Sequence, residues 1–266
     1  MTVVALLADA EHVLFAAVLE RGMMEGLTFT VPPEALPPLQ QRYAMALKSF
    51  PDAIQGQKAH LTADWSIELI GDQRPTTLNP AHRRMKIGFD VDEGIKSEDG
   101  TFVSVHGMLP PAKNSNDARV FRRWLEHHQT NTQPDLSGQP RHWCDRSDLA
   151  YAIVELLKSE PTENWFNLSG RRQWTLNETW MEFSELMNRT KAGKTGRFNI
   201  HHLEARGVPS IKAVSVESTS AVHSRPSLHA IHAFLEERDG EGWRPKTPLR
   251  HSLMFVIAMH DEHQAL

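Results

Sequence analysis

Short apolar runs alternate along the chain with longer stretches of helical periodicity. The first run, residues 2–8, predicts a strand, and residues 9–23 predict a helix with Asp9 as its N-cap. Further strands are predicted at residues 65–71, WSIELIG, and at residues 101–106, TFVSVH. Strands that alternate with helices in this way are typical of an α/β architecture.

The second half of the chain has clearer helix signals. Leucine and isoleucine recur at helical spacing after Asp145 or Ser147, either of which can cap the helix. The segment NWFNLSG predicts a short strand, and Thr175 with Glu178 forms the sequence of a capping box before the next helix. Two more predicted helices, SLHAIHAFLEE and LRHSLMFVIAMHDEH, follow toward the end.

Composition narrows the classes of protein that fit. With 266 residues, of which 40% are hydrophobic, the chain can bury a substantial core. The single cysteine excludes an internal disulfide framework and agrees with a reducing, cytoplasmic location. The net charge of −4 gives no basic field for a phosphate backbone, and no apolar run reaches the ~18 residues of a membrane span. We therefore expect a small-molecule partner, no nucleic acid and no membrane.

Four segments resemble, in the same order, parts of the extended short-chain dehydrogenase/reductase superfamily, which includes nucleotide-sugar epimerases, dehydratases and reductases and progesterone-5β-reductase-like enzymes. VSVHGMLPP is similar to the family's sixth strand and its Tyr-Gly-Pro turn, with His106 in place of the tyrosine. RHWCDRSDLAYAIVELL is similar to the segment that borders the substrate pocket, and NWFNLSGRRQWTLNETW to the strand and helix after it. RPS and GWRPKTPLRHSL resemble the closing helices.

The resemblance implies a Rossmann-like parallel sheet that is truncated or degenerate at its N-terminus. Residues 1–160 would form this α/β core, and residues 161–266 a smaller C-terminal substrate-binding α+β region. A homodimer is also implied, since family members often pair through helices that flank the catalytic one.

The first strand-to-helix turn departs from the family. A dinucleotide site needs glycine there, because only a turn without side chains lets backbone N–H groups approach the pyrophosphate. Here the turn positions are Leu6, Leu7, Ala8 and Asp9, so bulky groups and a carboxylate stand where phosphates would bind. The sequence therefore predicts no cofactor, with NADP or NAD as the alternative.

Chain length allows two alignments of this first unit. In one, residues 2–8 are the family's first strand in a degenerate form. In the other, the first three strands are missing, residues 2–8 are the fourth strand and WSIELIGDQRP is the fifth.

The family's catalytic tyrosine, four residues before a lysine on a helix, has no direct counterpart. The chain has two tyrosines, and Tyr43 precedes Lys48 by five residues, which turns the two side chains apart on a helix. NPAHRRMKIGFD aligns best with the catalytic helix and gives His82 and Lys86 the four-residue spacing. His82 is thus a candidate acid or base, with a surface position in a basic loop as the alternative.

The segment RHWCDRSDL is the best candidate for substrate binding. Arg141 offers a forked donor for a carboxylate or phosphate, His142 lies beside it, and Trp143 offers a flat apolar wall. Asp145 and Asp148 lie at a helix start, where carboxylates are stabilised. The alternative is that these aspartates only cap the helix and pair with the arginines. His106 would face the same cleft as a catalytic residue, because α/β sheets bind ligands beyond the carboxyl ends of their strands.

Other reactive side chains carry less weight. Cys144 lies between cationic residues that favour a thiolate, but a lone cysteine usually behaves as a small hydrophobe. Paired histidines such as His229 and His232 have the spacing for one helical face, but fifteen histidines produce such pairs by chance. We predict no metal site.

Three kinds of function fit these residues. The first is an enzyme that performs acid/base chemistry on a small molecule (isomerisation, cyclisation, elimination or an aldol-type step) without a hydride cofactor. The second is an NAD(P)-dependent reductase or epimerase with a divergent nucleotide site. The third is a non-catalytic binding or partner subunit. The missing glycines favour the first over the second, and the polar and aromatic cluster favours it over the third.

Overall fold

The computed structural model describes residues 2–7, 12–57, 62–70, 81–91, 100–203 and 225–264, with residues 203 and 261–264 described as backbone only. The described strands are β1 (Val3–Leu6), β2 (Thr28–Val31), β3 (Ile54–Gly56), β4 (Ala63–Leu69), β5 (Ala81–Phe89), β6 (Thr101–Val105), β7 (Met108–Leu109), β8 (Cys144–Asp145) and β9 (Trp165–Leu168). The described helices are α1 (Val13–Met24), α2 (Leu36–Arg42), α3 (Ala46–Ser49), α4 (Asn116–Gln129), α5 (Arg146–Leu157), α6 (Leu176–Thr195), α7 (Ile200–Leu203), α8 (His229–Asp239) and α9 (Leu249–Gln264).

Seven of these strands form one parallel sheet in the order β3-β2-β1-β4-β5-β6-β9. The predicted α/β fold with a Rossmann-like parallel sheet is therefore confirmed. Because β1 lies between β2 and β4, it is the first strand of a complete sheet. The alignment that made residues 2–8 the fourth strand and residues 65–71 the fifth is wrong.

The chain forms two compact units that interleave along the sequence. Unit 1 comprises Met1–His106, Arg146–Leu168 and Ser227–Arg244, and it contains the seven-stranded sheet. Unit 2 comprises Gly107–Asp145, Ser169–Pro226 and Pro245–Leu266. The division into domains at residue 160 stays a prediction.

One face of the sheet in unit 1 is apolar and packs against helices. Alternate residues of the central strands share this face, since strand side chains alternate in direction. Val4, Ile67 and Ile87 on it are fully buried. Helix α1 approaches so closely that a Cβ at Gly22 would lie within 2.4 Å of the ring of Phe29 in β2. Helix α5 packs beside α1, and α8 packs against α5 and β9.

The opposite face of β4 and β5 is polar and charged. β4 directs Asp64, Ser66 and Glu68 to it, and β5 directs His82, Arg84 and Lys86. The register pairs Ser66 with Arg84 and Glu68 with Lys86. Strands of a parallel sheet covered on both faces are usually apolar throughout, so this alternation is typical of a strand with one polar face.

The connections within this half of the sheet are short. Residues 57–62 join β3 to β4, residues 70–80 join β4 to β5, and residues 90–100 join β5 to β6. Parallel strands usually need a crossover of about a dozen residues or more, most often with a helix. Most residues of these three connections lie outside the part of the chain that the structure describes.

The helix expected around His82 and Lys86 is a strand. Ala81–Phe89 pairs with β4 on one side and β6 on the other. Four residues along a strand separate two side chains by about 13 Å, whereas one helical turn brings them together. His82 and Lys86 therefore cannot form the one-turn pair that the sequence suggested, although both side chains lie on the same polar face of the sheet.

Unit 2 is built around an aromatic core. Phe121 and Trp124 of α4, Trp143 before β8 and Phe183 of α6 have ring centroids between 5.2 and 5.9 Å from a neighbouring ring. Helix α9 packs against α6 and contributes Leu253, which is fully buried. The capping box predicted at Thr175 and Glu178 is present at the start of α6. None of the helices within the described ranges is long and apolar enough to cross a membrane.

Candidate functional site

Two adjacent strands of unit 1 end in a polar cluster. Asp90 directly follows β5, and His106 directly follows β6. The backbone N–H of Asp90 donates to Val105 O (3.0 Å), and the N–H of His106 donates to Leu168 O in β9 (2.8 Å). Both residues therefore lie at the carboxyl edge of the sheet, where open α/β folds bind ligands.

Three side chains of this cluster are joined in a row. Nε2 of His106 lies 2.9 Å from Oγ of Ser104, and Nδ1 of His106 lies 3.2 Å from Oδ1 of Asp90. Ser104 Oγ donates to Val91 O (2.8 Å) and accepts from Val91 N (3.2 Å). We call these three residues the Ser104–His106–Asp90 chain. Such a row of hydroxyl, imidazole and carboxylate can hold and move a proton.

Exposure increases along this chain from the serine to the carboxylate. Ser104 is fully buried, the His106 side chain is 17% exposed, and the Asp90 side chain is 72% exposed. Asp90 also has a φ of 50°, a left-handed conformation that few residues other than glycine adopt. Such conformations cluster at functional sites. The Asp90 carboxylate is the most exposed member of the Ser104–His106–Asp90 chain, and its backbone has this unusual conformation.

His106 was predicted from the sequence, whereas Asp90 and Ser104 were not. The expectation that His106 ends the sixth strand was correct. Asp90 was missed because the segment before it was predicted to be a helix, so no strand was expected to end there. Ser104 gave a usable signal, since it lies two residues before His106 on the same strand and thus on the same face.

The predicted substrate-binding segment divides between the two units. In unit 2, Nε of Arg141 lies 3.3 Å from Oδ1 of Asp117, and its backbone pairs in both directions with Trp174. His142 is buried, and its carbonyl accepts from Gly170 N (2.9 Å). A Cβ at Gly107 would lie 2.8 Å from that carbonyl, and with a φ of +66° this position requires glycine.

The remaining members of the segment are also engaged in structural contacts. The indole N–H of Trp143 donates to Thr179 Oγ1 (3.0 Å), and its ring lies in the aromatic core. Asp145 is buried and accepts a hydrogen bond from Ser252 Oγ (2.7 Å). Cys144 is buried as well, as expected of a small hydrophobe. Asp148 belongs to unit 1, in the first turn of α5, which agrees with its alternative role at a helix start. Substrate binding by the segment stays a prediction.

No family model and no curated protein sequence matches the chain. Solved structures do match. WbmH from Bordetella bronchiseptica, in complex with NAD+, has a TM-score of 0.56 at 11% identity, over 98% of this chain and 98% of WbmH. WbmF from the same organism, in complex with NAD+ and UDP, has a TM-score of 0.54 at 9% identity, over 99% of this chain and 93% of WbmF. UDP-N-acetylglucosamine 4-epimerase from Bacillus cereus has a TM-score of 0.50 at 11% identity, over 98% of this chain and 100% of the epimerase.

The chain has the fold of the extended short-chain dehydrogenase/reductases. The prediction that it works without a cofactor is contradicted by these matches, because WbmH and WbmF were both solved as complexes with NAD+. NAD, one of the two dinucleotides of the alternative prediction, is the dinucleotide bound in the WbmH and WbmF structures.

The first turn does not fit the usual pyrophosphate site of this short-chain dehydrogenase/reductase fold. From Leu7 to His12 the sequence is LADAEH, which has no glycine and carries the carboxylates of Asp9 and Glu11. Leu7 is buried, and His12 caps α1 with its Nδ1, which accepts from Leu14 N (3.3 Å). A dinucleotide would be held here by contacts other than glycine backbone amides.

The family's tyrosine has no equivalent at the described part of the carboxyl edge. Tyr43 OH donates to Glu20 (3.3 Å), and burial together with Glu20 raises the pKa of Tyr43 to about 12. Tyr151 OH donates to Asp239 Oδ2 (2.7 Å), and burial together with this carboxylate raises its pKa as well. A proton-transferring tyrosine needs a lowered pKa, so neither phenol suits that role. The described residues also form no group of three or more metal-ligating side chains.

Proposed function

We propose that this chain is a nicotinamide-dependent reductase or epimerase that acts on a small molecule, with a dinucleotide site that departs from the glycine pattern. The observation that carries the proposal is the Ser104–His106–Asp90 chain at the carboxyl edge of a complete Rossmann-like sheet. The matches to solved structures support the fold on which it rests.

The chain's own residues supply proton transfer in this proposal. A bound nicotinamide would accept or donate hydride, and carbonyl or alcohol chemistry then also needs a group that takes up or returns a proton. In the extended short-chain dehydrogenase/reductases that group is a tyrosine. Here the Asp90 and His106 pair, 3.2 Å apart at the ends of neighbouring strands, is the set of titratable side chains suited to replace it.

In unit 2, Arg141 is by itself a candidate for substrate binding. Its side chain is 33% exposed, and the bond to Asp117 uses Nε while Nη1 donates to Gln139 O (3.1 Å). The rest of the guanidinium can bind an anionic group of a substrate. His142, Trp143 and Asp145 are buried and would hold the backbone next to Arg141 in place.

Binding of NADH and NADPH, measured by calorimetry, tests the proposal. We expect dissociation constants in the micromolar range. In this fold the pyrophosphate lies at the start of α1, so His12→Asp should weaken binding at least tenfold by charge repulsion. His12→Asn is the matched control, because asparagine caps a helix equally well without a charge. It should bind within about threefold of the native chain.

Two results would contradict the proposal. One is the absence of binding of either dinucleotide at millimolar concentration. The other is binding that His12→Asp and His12→Asn leave equally strong, which would place the dinucleotide away from the start of α1.

A further inference from the structure

We propose that Asp90 is the residue that exchanges the proton with the substrate, and that His106 and Ser104 are positioning residues behind it. This inference rests on the proposed function and assigns an order to the members of its proton-transfer site. The order is the reverse of the familiar arrangement of these residue types, in which a buried carboxylate orients a histidine and the hydroxyl faces the substrate.

The hydroxyl proton of Ser104 determines the direction of the hydrogen bonds. A serine has one proton to donate, and Ser104 donates it to Val91 O (2.8 Å). Its oxygen must therefore act as an acceptor toward both Val91 N (3.2 Å) and His106 Nε2 (2.9 Å). Nε2 of His106 thus carries a proton and points to a buried serine, so this nitrogen is not available to a substrate.

The other ring nitrogen is directed to the carboxylate. Nδ1 of His106 lies 3.2 Å from Oδ1 of Asp90, and with Nε2 already protonated this contact is a charged hydrogen bond when Nδ1 carries a proton as well. Both nitrogens of the ring are therefore used within the Ser104–His106–Asp90 chain. Asp90 has a second carboxylate oxygen and a side chain that is 72% exposed, so it is the member that a substrate can reach.

The backbone holds Asp90 from both sides. Its own N–H donates to Val105 O (3.0 Å), and both the N–H and the carbonyl of the next residue, Val91, bond to Ser104 Oγ. These bonds fix the residue at its φ of 50°. The carboxylate is therefore presented from a fixed backbone at a strand end, as a catalytic group should be.

The proton-transfer step is a simple exchange. A carboxylate oxygen of Asp90 takes a proton from a hydroxyl group or an acidic C–H group of the substrate, and the electron pair of the broken bond stays on the substrate. The resulting carboxylic acid returns the proton to the product or to water. His106 holds the Asp90 side chain in place through the contact at Nδ1, and Ser104 holds the ring in place.

Nuclear magnetic resonance of ¹⁵N-histidine-labelled protein tests the order without any substrate. The His106 signals are assigned by their loss in His106→Gln. We expect a proton on Nε2 that exchanges slowly with water, and the same proton in Asp90→Asn. In Ser104→Ala its exchange should be at least tenfold faster, since the acceptor is gone. A bare Nε2 in the native chain would overturn the proposal.

Turnover measurements test the role of Asp90. Oxidation of NADPH and NADH is followed by absorbance with a panel of aldehydes and ketones, and dinucleotide binding is measured in parallel. Asp90→Asn should lower kcat by about 100-fold with unchanged dinucleotide affinity, because one positioned acid or base contributes about that much. Asp52→Asn, at another exposed carboxylate of unit 1, should change neither quantity.

The two proposals fail in different ways. A native protein that binds no dinucleotide overturns the proposed function. The histidine spectra then still decide the order of the residues within the Ser104–His106–Asp90 chain. A native chain that binds and turns over, with Asp90→Asn fully active and His106→Gln inactive, overturns the role of Asp90 and makes His106 the group that meets the substrate.

Discussion

Trp143, one of the predicted substrate-binding residues, packs in the aromatic core of unit 2. The residue is 7% exposed, its ring centroid lies 5.6 Å from that of Phe121, and its indole N–H donates to Thr179 Oγ1. Thr179 in turn donates to Thr175 O at the start of α6 (2.9 Å). The indole thus connects the segment before β8 with the first turn of α6 and stabilises unit 2.

Replacing Trp143 by Phe keeps an aromatic ring but removes the N–H donor. We expect the free energy of unfolding to fall by about 1–3 kcal/mol, because a smaller ring leaves a gap and a hydrogen bond is lost. Urea denaturation measures the loss. Thr179→Val in the same background separates the hydrogen bond from packing, since the two changes should be less than additive. Strict additivity would contradict a contribution from the bond.

Single residues of the candidate site were only partly predictable. His106 was placed by the apolar run of β6 and by the glycine after it, both of which are local signals. Asp90 and His106 are brought together only by the pairing of β5 with β6, and no local pattern contains that pairing. Asp90 therefore could not be predicted from the sequence once β5 had been assigned to a helix.

Elements with strong local signals were predicted well. β1, β4 and β6 were found as short apolar runs, and α5 and α6 by periodicity and caps. Helix α4 was missed although its signals are present, namely the N-cap Ser115 and the apolar residues Phe121, Trp124 and Leu125 at helical spacing. β5 failed for a physical reason: consecutive basic residues at its start, such as Arg83 and Arg84, hide its alternation.

The ends of α1 and α5 are joined by an ion pair that should make stability depend on pH. Lys158 Nζ lies 3.0 Å from Glu25 Oε2 and 2.7 Å from Glu155 Oε1. The hydrogen bond from Lys158 lowers the pKa of Glu25 below its ordinary 4.5, against the opposing effect of burial. Burial alone would lower the pKa of Lys158, but its bonds to Glu155 and Glu25 raise it above 10.5.

The direction of each pKa shift gives the pH range in which the ion pair stabilises the folded chain. A lowered carboxyl pKa stabilises the folded chain above pH 4.5, and this contribution is lost as the pH falls through the folded pKa. A raised lysine pKa stabilises it below pH 10.5, and this contribution is lost as the pH rises through the folded pKa. Lys158→Met should therefore lower the free energy of unfolding by about 1 kcal/mol at pH 7 and by less below pH 4.5.

Chemical denaturation of native and Lys158→Met protein between pH 3 and pH 8 measures this difference. Lys48→Met is the control, because Lys48 is exposed in the last turn of α3, and it should change stability by less than about 0.5 kcal/mol at every pH. A difference between native and Lys158→Met protein that stays constant down to pH 3 would contradict the role of Glu25.

At the scale of the whole molecule, the polar face of β4 and β5 should lower the heat capacity of unfolding. A chain of 266 residues ordinarily has a ΔCp of about 3.2–4.0 kcal/mol/K. Exposed apolar surface raises this quantity on unfolding, whereas polar surface lowers it. Because the face that carries Glu68, Arg84 and Lys86 buries little apolar area, we expect a value below about 3.2 kcal/mol/K.

Scanning calorimetry at several pH values gives this heat capacity from the slope of the unfolding enthalpy against Tm. A value above about 3.6 kcal/mol/K would mean that the chain buries as much apolar surface as an ordinary protein of its length. The prediction would then be wrong for the sheet as a whole.

The short connections also bear on the order in which the sheet assembles. β4, β5 and β6 are neighbours both along the chain and in the sheet, joined by residues 70–80 and 90–100. β1 and β4 are separated along the chain by the whole stretch through α1, β2 and β3, and β6 and β9 by the stretch through α4 and α5. Closing a short loop loses less chain entropy than closing a long one. Folding should therefore nucleate among β4, β5 and β6, and the pairings of β1 with β4 and of β6 with β9, which close longer loops, should follow.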